Sequence, residues 1–250
     1  MAIIQTIPAS HTLLALLLGL TAAAANILGG LFILRREWSR QYLKSFLALG
    51  AGFMLAASIL EILPESVALS GNSAYFFVLV GYFIVHFFEH NLAPHFHFGE
   101  ETHVEEFVPG HAGISALLGL SIHTFFDGVA IASGFLVSGW LGGVIFLAIA
   151  LHKIPEGFTV ASLMLASGQS RRTGLLAAIW LGVATVAGVF LMGVLHSQVG
   201  YALPISAGVT LYVAATDLVP EVNREPDTRM ALLVFLGVAL MLLLGKLFHS

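Results

Sequence analysis

A chain of 250 residues that is 58% hydrophobic and only 10% charged is excluded from the ordinary soluble class, in which about a quarter of residues carry charge. With 10 Lys and Arg against 14 Asp and Glu, the formal charge of −4 identifies no partner by itself, and nucleic acid is not expected to be one. Cysteine is absent, which excludes a disulfide framework and a thiolate metal site.

Apolar runs of about 20 residues, the length of a bilayer-spanning helix, recur along the whole chain. They predict an all-α integral membrane protein of one domain, residues 1–250. Its eight spans fall at roughly 11–34, 44–66, 74–92, 111–135, 140–167, 173–196, 203–221 and 230–248. Helices are required because an open strand leaves its backbone unsatisfied in lipid. The first run has no basic residue before it and no A-x-A-like end, so it reads as a span and not as a signal peptide. Arg35, Arg36, Arg40 and Lys44 fall between spans 1 and 2, Arg171 and Arg172 between spans 5 and 6, and Arg224 and Arg229 between spans 7 and 8. Eight spans put all of these on one face. The positive-inside rule makes that face cytoplasmic, with both termini extracytoplasmic in a plasma or inner membrane.

Span 2 contains "AGFMLAASILEILPE" (51–65), which aligns without gaps with "AGVTLYVAATDLVPE" (207–221) of span 7. Spans 2 and 7 cross in opposite directions, so the match is the trace of an inverted repeat. It marks Ser58, Glu61 and Glu65 on one approach to the midplane, and Asp217 and Glu221 on the other, as candidate residues of a cation path. After span 3, a loop at about 93–110 and its flanks hold His90, His95, His97, His103 and His111 among Glu100, Glu101, Glu105 and Glu106. That composition suits loose metal capture on the cytoplasmic face.

Spans 4 and 5 carry the densest chemistry. "HTFFDGVAIAS" (123–133) and "HKIPEGFTVAS" (152–162) share the pattern H-x-x-x-[DE]-G-x-x-x-A-S. Each histidine lies about a dozen residues into its span, near the middle of a hydrocarbon layer roughly 30 Å thick. Asp127 and Glu156 follow at i+4, on the same helix face as His123 and His152. If the two faces meet, two imidazoles and two carboxylates converge, a donor set for Zn2+ and also for Fe2+, Mn2+, Co2+ or Cd2+. Pro155 removes a hydrogen bond to the carbonyl of Leu151, which suggests a broken helix and a free oxygen beside the site. The competing explanation is structural. A mid-membrane acid costs roughly 3 kcal/mol on the insertion scale, and Lys153 is available to pair with one.

These segments resemble the ZIP (Zrt-, Irt-like protein) family of divalent-metal transporters. "HTFFDG" is similar to the family's span 4 motif and "HKIPEG" to its span 5 motif. "ILEILPES" and "LYVAATDLVPE" are similar to its span 2 and span 7 signatures. The resemblance implies a 3+2+3 inverted-repeat bundle, a homodimer, and transport of Zn2+ and related cations toward the cytoplasm. It further implies alternating access in which spans 1, 4, 5 and 6 move as an elevator, with His123, Asp127, His152 and Glu156 as metal ligands. Two positions depart from the family pattern. Where many members have Asn and an acid that help build a second metal site, this chain has Thr124 and Lys153. A protonated ammonium has no lone pair to offer a metal, so one metal is expected, with Lys153 where the second would be. Glu61 stands where many members have histidine.

The expected function is therefore a carrier and not an enzyme, with the metal as substrate and no cofactor. The runner-up is an intramembrane zinc-dependent hydrolase using the same ligands to activate water, although the chain lacks H-E-x-x-H. A haem-binding membrane protein is disfavoured by the paired acids.

Overall fold

In the computed structural model, residues 9–32, 40–92, 112–223 and 227–248 are described. The expected His95, His97, His103 and His111, and the basic Arg35, Arg36 and Arg224, lie outside them. Among the described residues every regular element is a helix, and there is no strand. The helices are α1 (Ala9–Phe32), α2 (Arg40–Ala57), α3 (Leu63–Ser70), α4 (Ser73–Leu92), α5 (Ala112–Val137), α6 (Gly139–Ala166), α7 (Arg171–Val194), α8 (Val199–Tyr212), α9 (Val219–Asn223) and α10 (Thr228–Phe248). Seven helical stretches are long and apolar enough to cross a bilayer. The third expected span falls on α4, whose apolar stretch Ser73–Glu89 is shorter than the other seven.

Spans 2 and 7 are each one helix interrupted by a wider turn. The π-helical turn Ser58–Ile62 joins α2 to α3, and Val213–Leu218 joins α8 to α9. Leu63 N donates to Ser58 O and Val219 N to Ala214 O, at equivalent positions of the repeat. The cause is the proline that follows each turn, Pro64 and Pro220. A proline donates no backbone hydrogen bond and crowds the preceding turn, and one extra residue in that turn absorbs the misfit. Glu61 and Asp217 lie within the two wide turns.

Pro155 behaves differently from the expectation. Helix α6 runs unbroken from Gly139 to Ala166 with Pro155 inside it. The Leu151 backbone lies against Gly50 of α2 and the Ile154 carbonyl against Gly29 of α1, so close packing on both sides holds the helix through the proline. The ends of α6 are well defined. Ser138 Oγ caps the start by accepting from Leu141 N at 3.1 Å. Gly168, at φ 82°, ends it in a Schellman turn, with Gln169 N donating to Met164 O at 2.9 Å.

The most extensive helix pairings are α5 with α7, α1 with α6 and α7, α2 with α10, and α4 with α8. The apolar interior has two centres. One lies around Phe53, Met54, Leu218 and Met241. The other surrounds Ile131, Ile145, Ile149, Val189 and Leu203. Large apolar side chains also cover the outside, among them Leu17, Phe76, Phe83, Phe190, Phe235 and Leu247. An outer face this apolar suits lipid and not water.

Candidate metal centre

The two repeated motifs meet face to face between α5 and α6. A glycine behind each acid sets the helix depth. A Cβ built on Gly128 would lie 1.9 Å from the Thr185 carbonyl oxygen of α7, and one on Gly157 would lie 1.9 Å from that of Asn26 on α1. Each motif helix is therefore pressed backbone to backbone against its outer neighbour, as small residues allow in membrane bundles. The preceding acid is left pointing toward the opposite motif.

His123, Asp127, His152 and Glu156 each offer a ligand atom, and these atoms all lie within 4.8 Å of one another. Asp127 Oδ2 is 3.3 Å from His123 Nε2 and 3.4 Å from His152 Nε2, and Glu156 Oε2 is 3.8 Å from His152 Nε2. Ligands at about 2.0–2.1 Å from a tetrahedral zinc stand roughly 3.3 Å from each other, so the cluster is close to the size an ion requires. The imidazole centroids are 5.5 Å apart. All four side chains are buried.

His152 is held by the backbone of its own helix. His152 Nδ1 donates to Ala148 O at 3.1 Å, which leaves the Nε2 lone pair facing the carboxylates. A backbone partner on the far nitrogen is the usual way a metal-binding imidazole is held. Neither nitrogen of His123 is hydrogen-bonded among the described residues, nor is Asp127 Oδ1. Unpaired polar atoms buried this deeply are rare unless a ligand completes them.

Lys153 is found inside the cluster. Its Nζ lies 2.6 Å from Asp127 Oδ2 and 2.5 Å from Glu156 Oε2, so it pairs with both acids at once. Thr124 Oγ1 donates to Glu156 Oε1 and lies 3.5 Å from Lys153 Nζ.

The residues expected along a cation path separate into two groups. Glu61 Oε2 accepts from Trp140 Nε1 at 3.2 Å, and Glu61 and Glu65 line a cavity of about 420 Å³ with Pro64, Met241, Gly245 and Lys246. Ser58 is buried and spends its hydroxyl on Met54 O. Asp217 is buried in the other group. Thr216 Oγ1 donates to its Oδ1 at 3.3 Å, and Glu89 and Tyr212 lie beside it. Glu221 falls on α9, and His90 on the last turn of α4.

Two residues escaped the sequence reading. Glu89, near the end of α4, lies beside Asp217 of span 7, a meeting of helices remote in sequence. Asn26 is fully buried, with neither side-chain polar atom paired among the described residues. A lone amide in "AAAANILGG" was its only signal.

Residues 100–245 match the family described as ZIP Zinc transporter. The chain belongs to the ZIP family. Similar proteins include Zinc transporter SLC39A7 of Rattus norvegicus, 29% identical over 59% of this chain and 34% of its own length. Zinc transporter ZIP13 homolog of Drosophila melanogaster is 32% identical over 55% of this chain and 42% of its own. Human Zinc transporter ZIP4 is 30% identical over 48% of this chain and 19% of its own. This ZIP-family chain thus spans between about a fifth and two-fifths of these relatives. Its seven bilayer-length helices and its family make it an integral membrane protein.

Proposed function

We propose that the chain carries divalent metal ions, zinc first and cadmium, iron or manganese as alternatives, through a single midplane site. The observation that carries this is the meeting of two H-x-x-x-[DE]-G helices with their four ligand atoms within 4.8 Å. His123, Asp127, His152 and Glu156 hold the ion by exchanging its water shell for two imidazole nitrogens and two carboxylates. Glu61 and Glu65 on one side, and Asp217 and Glu221 on the other, form the approaches. The relatives' names as zinc transporters support this reading, and none supports a hydrolase.

The 3+2+3 inverted repeat is part of the proposal. Exchanging spans 1, 2, 3 and 4 with 6, 7, 8 and 5 turns the α2–α10 pair into α8–α4 and the α1–α6 pair into α7–α5, and these are the principal pairings. The close approaches follow the same exchange. Gly52 faces the Val234 carbonyl of α10, and its repeat equivalent Gly208 faces the Val78 carbonyl of α4. Such a plan favours alternating access, with α1, α5, α6 and α7 as the moving group that carries the site. The basic residues that open α2, α7 and α10 support a cytoplasmic face there, with metal moving toward it and both termini outside. A homodimer is the expected assembly.

The test is uptake by the purified full-length chain in sealed vesicles, offered Zn2+, Cd2+, Mn2+ and Fe2+ separately and in competition. Saturable zinc uptake, inhibited by cadmium, is the expected result. Metal-dependent cleavage of lipid or peptide without flux would replace the carrier with the hydrolase.

A further inference from the structure

Among the fully buried side chains of the described residues, Lys153 is second in size only to Phe53. We propose that Lys153 is a tethered counter-cation, which enters the site when the metal leaves and so lets the empty carrier return across the membrane. The inference rests on the transport reading above and concerns the half of the cycle that carries no ion.

The argument is one of charge and geometry. Asp127 and Glu156 bring two negative charges to a fully buried midplane site, and the histidines are uncharged when ready to bind metal. An alternating-access carrier that performs net transport must move this site across the membrane without its ion. Two bare carboxylates would oppose that step. The Lys153 ammonium lies 2.6 Å and 2.5 Å from one oxygen of each acid, lowering the empty site from −2 to −1. One divalent ion then takes it to +1.

Geometry also permits exchange between ammonium and metal. Nζ holds Asp127 Oδ2 and Glu156 Oε2, the same oxygens that face His152 Nε2 at 3.4 Å and 3.8 Å. Asp127 Oδ1 and both His123 nitrogens make no hydrogen bond among the described residues. An arriving ion therefore meets open donors first and shares or takes the two oxygens from the ammonium. Thr124 Oγ1, 3.5 Å from Nζ, is a neighbouring acceptor toward which the ammonium can retreat. A purely structural ion pair needs neither open donors on the metal side nor a second acceptor for the amine.

The proposal separates two fluxes. Exchange of metal across the vesicle wall uses only the loaded carrier, whereas net uptake needs the empty one to return. Lys153→Met is expected to keep measurable metal exchange, altered only as its metal affinity changes, while the ratio of net uptake to exchange falls roughly a hundredfold, the scale of one uncompensated mid-membrane charge. Lys153→Arg, which keeps the charge, retains both. In the wild type, each ion should carry two positive charges with no opposing ion gradient. Lys153→Met with normal net uptake, or a folded Lys153→Met that has lost exchange as well, overturns the proposal. If that variant does not fold, the wild-type charge count decides: fewer than two charges per ion means a counter-ion returns with the empty site, and the tethered cation is rejected. A wild type that neither exchanges nor accumulates metal removes the transport reading itself, a result distinguishable from all of these.

Discussion

Asp127→Ala brings metal uptake into sealed vesicles below about 1% of wild type, since loss of even an outer partner of a metal ligand costs 10–100-fold. Asp127 is the residue on which the cluster converges. Its Oδ2 faces both histidines and the Lys153 ammonium, and its Oδ1 makes no hydrogen bond among the described residues. Removing it deletes a ligand, opens a gap between α5 and α6, and leaves Lys153 to Glu156 alone. His152→Ala acts through a different loss. It removes the imidazole whose orientation Ala148 O fixes without changing the charge of the site, and it is expected to reduce uptake to a similar degree. Folding is followed separately, by helix content and by elution as a single species in detergent. Undiminished uptake in both variants would sink the site assignment.

The second large effect falls on stability. Gly157→Ala places a methyl group 1.9 Å from the Asn26 carbonyl oxygen and 2.7 Å from its carbon. Neither atom belongs to a side chain that can turn away, so α1 and α6 must separate. Overpacking a tight interior costs about 1–3 kcal/mol and at times more, and a backbone contact belongs at the upper end. Gly128→Ala meets the Thr185 carbonyl of α7 in the same way. Each is expected to lower Tm by about 5–10 °C, on the usual scale for a chain of this size, and to reduce recovery of monodisperse protein. Gly143, around which a Cβ would meet nothing within 4 Å, is the control: Gly143→Ala leaves Tm unchanged. Equal Tm values for all three variants would refute the tight backbone contacts.

Much of the site was legible because charge is scarce in this chain. A histidine and an acid one helical turn apart stand out in an apolar run, and a second copy in the next span shows that the pair is not packing alone. Spacing along one helix is readable from sequence. Distance between helices is not: Lys153 was expected to be available to one acid and is found against both. The same limit hid the link between Glu89 and Asp217.

Proline was the less reliable guide. Pro155 suggested a broken helix, yet α6 passes through it. The interruptions fall before Pro64 and Pro220, where a wide turn takes up the missing hydrogen bond. A proline states which bond is lost. Whether the helix breaks, widens or is held straight depends on the packing around it. The repeat in spans 2 and 7 was readable as letters, and each copy carries a wide turn before its proline.

The most direct test of the central claim is the number of zinc ions bound by the purified full-length chain, counted after removal of loosely held metal. One tightly bound ion per chain is expected, with an X-ray absorption spectrum showing imidazole ligands, oxygen and no sulfur at about 2.0–2.1 Å, and the ion is lost in Asp127→Ala. Two midplane ions, or one ion that persists in Asp127→Ala, would contradict the single site formed by His123, Asp127, His152 and Glu156.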